Sequence, residues 1–164
     1  MASGWYTKGL RECMDTTVDI TASSIRIMLV DSDYVYDADH EVVDNGADDT
    51  TDPSFEEMSV TGYTGGHQGA GRKQGGANDF TLDFAEDDAN NRVNIGLAAD
   101  LTWSSLSSGG TIGGAILMKD GTSDDTDARL IAFWDLTDTA TNGGDITLDF
   151  TPAASGGNLR LSLV

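Results

Sequence analysis

Oxygen donors dominate the side chains able to do chemistry in this chain. Of its 28 acidic residues 23 are Asp, against nine Lys and Arg, for a net charge of -19. Asp31, Asp33, Asp37 and Asp39 follow one another at short spacings, and alternate carboxylates of this kind resemble part of a calcium site, which takes six to eight hard oxygen ligands. An EF-hand loop asks for Gly at its sixth position and Glu at its twelfth. Counted from Asp31, those positions hold Tyr36 and Val42. The quartet therefore reads first as a solvated acidic loop, with calcium as its alternative and no other cofactor expected. Asp124, Asp125 and Asp127 form a similar group on an expected loop tip, and Glu86, Asp87, Asp88, Asn90 and Asn91 read as a turn whose side chains cap backbone amides.

Acid–base or nucleophilic catalysis has no foothold. His40 and His67 both fall in expected loops, and neither stands in a nucleophile elbow or triad pattern. A glycine-rich stretch at 62–76 contains Arg72 and Lys73 but lacks the Gly-Lys-Ser/Thr and following helix of a phosphate-binding loop. It reads instead as a loop, either mobile or ordered by charge-assisted hydrogen bonds from Arg72 and Lys73 to a neighbouring acidic subunit. Trp103 and Trp134 sit at period-two positions and are expected in the core, with a sugar-stacking platform as the alternative. Trp5 is the candidate anchor between subunits, since Trp often dominates interface energetics. Cys13 stands alone, so neither a disulfide within the chain nor a zinc-type Cys spacing is available.

The elements that must position these groups are mainly β. A helical period appears near the start, where Tyr6, Leu10, Cys13 and Met14 follow one another and Ser3 can serve as N-cap, predicting one short helix over about 3–14. The period then switches to two. Ile25, Ile27 and Leu29 predict a core strand; Phe80, Leu82 and Phe84, then Val93, Ile95 and Leu97, predict half-buried strands, Leu101 with Trp103 continues the alternation, and Leu130, Ala132, Trp134 and Leu136 form another face. The run 112–118 suits a strand buried on both faces, Met58 and Val60 a short strand, and 145–150 and 159–164 two closing strands. Asp120-Gly121 opens a hairpin with a long tip, a turn is expected at 152–157, and long loops are expected at 31–54 and 62–78. Short strands separated by Gly, Asp and Ser turns predict a single domain over 1–164, a two-sheet antiparallel sandwich or jelly roll.

The acidic field repels phosphate backbones and anionic lipid, so nucleic acid and membranes are excluded as expected partners. A basic protein surface or a saline medium suits it. The N-terminus has no basic region followed by an apolar stretch, and no apolar run approaches a membrane span, so the expectation is a soluble protein made in the cytoplasm.

Four segments carry a resemblance: Trp5-Tyr6-Thr7-Lys8-Gly9-Leu10; the strand from Ile25 to Asp31; Ile116 to Gly121 followed by Leu130 to Asp135; and Gly143 to Leu148. Together they resemble small structural proteins of tailed-bacteriophage particles, in particular head decoration or cement proteins. That resemblance implies a non-enzymatic, oligomeric domain, often a trimer, that sits on the capsid surface of the virion and bridges major capsid protein subunits. No contact residue is carried over from that family; the candidates read from the residues themselves are Trp5, Tyr6, Lys8 and Arg11 in the N-terminal segment and Arg72 and Lys73 in the glycine-rich loop. The acidic segment 31–54 departs from the compact form of such proteins. A tail or tail-fibre component and a carbohydrate-binding module for host attachment are the alternatives.

Overall fold

Apolar residues at consecutive positions, where a half-exposed strand would alternate, decide the architecture. The computed structural model describes residues 3–46, 51–76 and 78–149, and the backbone of 159–162. In chain order the elements are β1 (Gly4–Trp5), α1 (Thr7–Met14), β2 (Ile25–Asp31), β3 (Lys73–Gln74), β4 (Leu82–Asp87), β5 (Arg92–Leu97), β6 (Leu101–Trp103), β7 (Thr111–Lys119), β8 (Arg129–Ala140), β9 (Ile146–Leu148) and β10 (Leu159–Ser162). A single 3-10 turn, Asp88–Asn90, joins β4 to β5. The protein is therefore mainly antiparallel β with one short N-terminal helix, and β7 and β8 form the expected hairpin. The turn expected at 152–157 lies outside the described residues.

The strands do not divide into two facing sheets. One five-stranded sheet runs β1-β8-β7-β2-β3, and two small sheets, β10-β5-β4 and β6-β9, stand beside it. The reason lies in β2, β7 and the first half of β8, whose residues are buried almost without interruption. A sandwich strand needs only one apolar face and turns polar residues outward. A sheet apolar on both faces must be covered twice.

One cover comes from the small sheets. Ile95 and Leu97 of β5 and Leu101 and Trp103 of β6 pack with Ile25, Ile27, Leu29, Leu117 and Trp134. The other comes from the N-terminal segment and the acidic loop, where Tyr6, Tyr34 and Val43 pack with Met28, Val30, Ile116, Met118 and Phe133. Each of these large apolar side chains stabilises the fold by about 1.5–3 kcal/mol when fully buried.

The 31–54 segment is thus not the exposed connection expected. Tyr34, Val43, Asp52 and Pro53 are buried, and Tyr34 and Tyr36 bracket the Phe133 ring at centroid distances of 5.4 Å. The segment also joins the sheet edge: Val43 donates its N–H to Ala128 O, and Leu130 donates to Glu41 O. On the opposite edge Met58 donates to Leu29 O, Asp31 to Glu56 O and Gly75 to Ile25 O. Met58 is buried here without forming the expected strand.

The helix begins later than Ser3. Gly4 and Trp5 pair with Phe133 and Ala132 of β8, so a sheet partner takes the backbone groups that a first helical turn would have used. Tyr6 becomes the N-cap residue, with no side-chain cap, and the Ser3 hydroxyl accepts the Asp135 N–H. The buried positions of α1 are Gly9 and Glu12, while Met14 is exposed. Gly9 is required by contact: a Cβ there would lie 1.9 Å from Leu130 O, so only glycine lets the helix rest on the strand backbone. Among the described residues no helix is long and apolar enough to cross a membrane.

Candidate functional site

Arg72 is the largest fully buried side chain among the described residues, 1% exposed, and the polar chemistry of the molecule converges on it. The loop 62–76 folds back over β2, and two carboxylates from distant parts of the chain meet the guanidinium there. Glu57 takes Nε at 2.8 Å and Nη2 at 2.6 Å, and Asp125 takes Nη1 at 2.6 Å and Nη2 at 2.9 Å. Both pairings are bidentate, the geometry in which Arg–carboxylate bonds are strongest. Burial opposes the charge on Arg72, but the hydrogen bonds from Glu57 and Asp125 outweigh it and hold the pKa above its ordinary value.

The same carboxylates order the loop. Glu57 also accepts the Tyr63 hydroxyl at 3.0 Å and the Gly66 N–H at 2.8 Å. Tyr63 in turn accepts the Leu29 N–H, and burial followed by the nearby Glu57 pushes its phenol well above the usual range. A Cβ on Gly65 would lie 2.9 Å from the Glu57 carboxyl carbon, so the glycine lets the backbone close around that anion. Trp103 donates its indole N–H to Gly71 O at 2.6 Å, and Lys73 sits 5.5 Å from the Trp103 ring centroid.

Next to this pair lies a second one. Arg26 donates Nε to Asp120 Oδ2 at 2.7 Å and reaches the Arg72 carbonyl at 3.4 Å. The other oxygen, Asp120 Oδ1, is 3.9 Å from Arg72 Nη1 and 3.6 Å from His67 Nδ1. Neither Asp120 Oδ1 nor His67 Nδ1 has a hydrogen-bond partner, although both atoms are buried. His67, Asp120 and Asp125 form a group of potential metal ligands whose donor atoms lie within 4.8 Å of one another.

The structure distributes the expected contact residues differently from the sequence reading. Arg72 is enclosed by its own chain and cannot be a surface contact, because Glu57 and Asp125 already satisfy it. Tyr6 is likewise fully buried, with its hydroxyl 2.6 Å from that of Tyr34. Trp5 is half-buried, pairs through its backbone with β8 and accepts the Tyr36 hydroxyl on its carbonyl. Lys73 is half-buried over Trp103. Lys8 and Arg11 remain at the surface, lining a shallow groove with Thr7, Asp39 and Glu41, and Lys8 is paired with Glu41.

The acidic quartet is not assembled into a ligand set. Asp31 accepts the Asp33 N–H and Asp37 accepts the Asp39 N–H, so these carboxylates close Asx turns. Asp124 and Asp127 do the same work for Thr126 and Thr122, leaving Asp125 to Arg72. Trp103 and Trp134 are buried, 2% and 3% exposed, and offer no open ring for a sugar.

Sequence reasoning missed Glu57, Asp120 and Arg26. One signal was available: only Glu12, Glu41, Glu56, Glu57 and Glu86 are glutamates in a chain with 23 aspartates. Three of these five hold ion pairs to distant parts of the chain: Glu12 with Arg129, Glu41 with Lys8 and Glu57 with Arg72. No family model, no curated protein and no solved structure matches this chain.

Proposed function

We propose that this chain is a non-enzymatic structural protein of a virus particle. Specifically, it is a decoration or cement protein that binds the major capsid lattice as a homo-oligomer, with a trimer as the working arrangement. The observation that supports this is the disposition of charge. Six of the nine basic residues, Lys8, Arg11, Arg26, Arg72, Arg92 and Arg129, are engaged in ion pairs within the chain. Most of these cations are thereby spent on the fold, and the net charge of -19 is left to the surface. Such a surface is steered toward a basic lattice, away from nucleic acid and anionic lipid. Many weak contacts repeated over a shell would add up to firm attachment.

The groove beside α1 mixes both signs, Lys8 and Arg11 with Asp39 and Glu41, and the Arg11 side chain is 68% exposed there. It is the proposed seat of the contact between copies, where the exposed Arg11 meets the acidic surface of a neighbour. Removing the N-terminal segment would also remove Tyr6 and the Gly9 seat from the core, so the surface substitutions Lys8→Ala and Arg11→Ala are the cleaner probe of that contact.

The reading is tested by a cryo-EM reconstruction of particles that carry the protein. Density repeated at lattice symmetry axes of the capsid is expected. Density confined to the tail, or absence from the particle, overturns it.

A further inference from the structure

We infer that His67, Asp120 and Asp125 bind a divalent first-row transition metal ion of the zinc class, which ties the glycine-rich loop to the tip of the β7–β8 hairpin. The inference does not depend on the virion reading.

The separation of His67 Nδ1 from Asp120 Oδ1 is the central fact. At 3.6 Å the atoms are too far apart for a hydrogen bond, whose N–H···O distance is ~2.7–3.2 Å. Two ligands held ~2.1 Å from one tetrahedral ion lie ~3.4 Å apart, close to what is seen. Asp120 is 8% exposed, and its Oδ1 lacks a hydrogen-bond partner, as does His67 Nδ1. Leaving such buried atoms unmatched costs free energy that a shared cation would recover.

Charge and support point the same way. Three carboxylates, Glu57, Asp120 and Asp125, face two guanidiniums, Arg26 and Arg72, so the cluster has a formal excess of one negative charge. Asp125 accepts one hydrogen bond on each oxygen from Arg72, and a carboxylate has roughly four acceptor positions, so it has capacity for a metal. Arg26 fixes the orientation of Asp120 through the oxygen not turned toward His67, the kind of outer contact that supports metal ligands. One imidazole with two carboxylates suits zinc-like ions, whereas calcium and magnesium prefer oxygen alone. The guanidinium of Arg72, 3.9 Å from Asp120 Oδ1, repels the ion and makes modest affinity the expectation.

The test is calorimetric titration of the full, chelator-treated chain with zinc chloride, alongside thermal unfolding with and without the ion. One equivalent of zinc is expected to bind and raise the unfolding temperature, with magnesium and calcium ineffective at the same concentration. His67→Ala, which removes a ligand outside the Arg72 pairings, is expected to weaken binding by more than the roughly 10–100-fold typical of losing a supporting contact. His40→Ala serves as the control and should bind as the parent does. Absence of stoichiometric zinc uptake overturns the inference, as does unchanged uptake by the folded His67→Ala protein. Preference for calcium would overturn the assignment of the ion.

Discussion

The acidic loop at 31–54 and the glycine-rich loop at 62–76 look alike in sequence, polar and poor in apolar residues, yet their main fastenings differ in chemistry. The acidic loop is anchored by Tyr34 and Val43 sunk into the core and by Tyr36 packed against it. The glycine-rich loop also sinks Tyr63 into the core, but its central anchor is a buried cation, Arg72, held between Glu57 and Asp125. A few anchors suffice to order a long polar segment, and the chemistry of the anchor determines what releases it. Removing one member of a buried ion pair leaves an uncompensated charge, whereas removing an apolar anchor leaves a cavity.

The largest effect is expected from Arg72→Met. It leaves Glu57 and Asp125 buried without their partner, and should destabilise the protein by about 3–5 kcal/mol in denaturant unfolding. A loss below about 1 kcal/mol would mean that backbone contacts alone hold the glycine-rich loop, and the contrast between the two loops would fail.

A smaller effect is expected on the other side. Tyr34→Phe leaves the buried Tyr6 hydroxyl without its partner and should cost about 1–3 kcal/mol. The same pair also predicts an alkaline response. Burial pushes Tyr34 up to about 12 and Tyr6 higher still. The folded state therefore favours the protonated phenols: their contribution is complete below the unfolded phenol value of ~10 and is lost as pH rises through the folded values. Unfolding followed between pH 9 and 12 should show this decline, and Tyr34→Phe should flatten it. An equal decline in the variant would place the alkaline sensitivity elsewhere.

The smallest signal comes from Cys13 on α1, which packs against the same core cluster as Tyr63 and Trp103. Burial, then Glu12 and Asp15, push its thiol up to about 11. At pH 8 only ~0.1% is thiolate, so labelling with an alkylating reagent should be slow and should quicken about tenfold per pH unit. The rate should rise in Arg72→Met if loosening the glycine-rich loop loosens the cluster that Cys13 shares with Tyr63. An unchanged rate in that variant would show that the loop can be freed without disturbing the helix.

Much of the central sheet was legible in the sequence, since runs such as Ile25 to Val30 and Ile112 to Met118 can only be strands buried deeply. The β7–β8 hairpin announced itself through Asp120-Gly121. What could not be read was the cover. Tyr34 and Val43 stand in short apolar groups, Tyr34-Val35-Tyr36 and Val42-Val43, within an acidic string, and nothing local shows which members point inward. Arg72 reads as a surface cation because its partners are 15 and 53 residues away, separations to which no spacing rule applies. The expected sandwich gave way for the same reason: strands buried on both faces call for two covers, and loops supplied one of them. Ser3 lost its capping role to the pairing of Gly4 and Trp5 with β8, a long-range contact that outweighs a local signal.

The borders of the main sheet have a further consequence. Along β8 the loop residues Glu41 and Val43, then Tyr6, Trp5 and Gly4, meet the backbone between Ala128 and Phe133. Along β2, Met58, Glu56, Gly75 and β3 occupy the corresponding groups. Much of the backbone on both rims is thus already matched by short pieces of the same chain, leaving an incoming strand little to add to there. At those two rims a second copy finds few backbone groups to template on, and a contact made there is read through side chains.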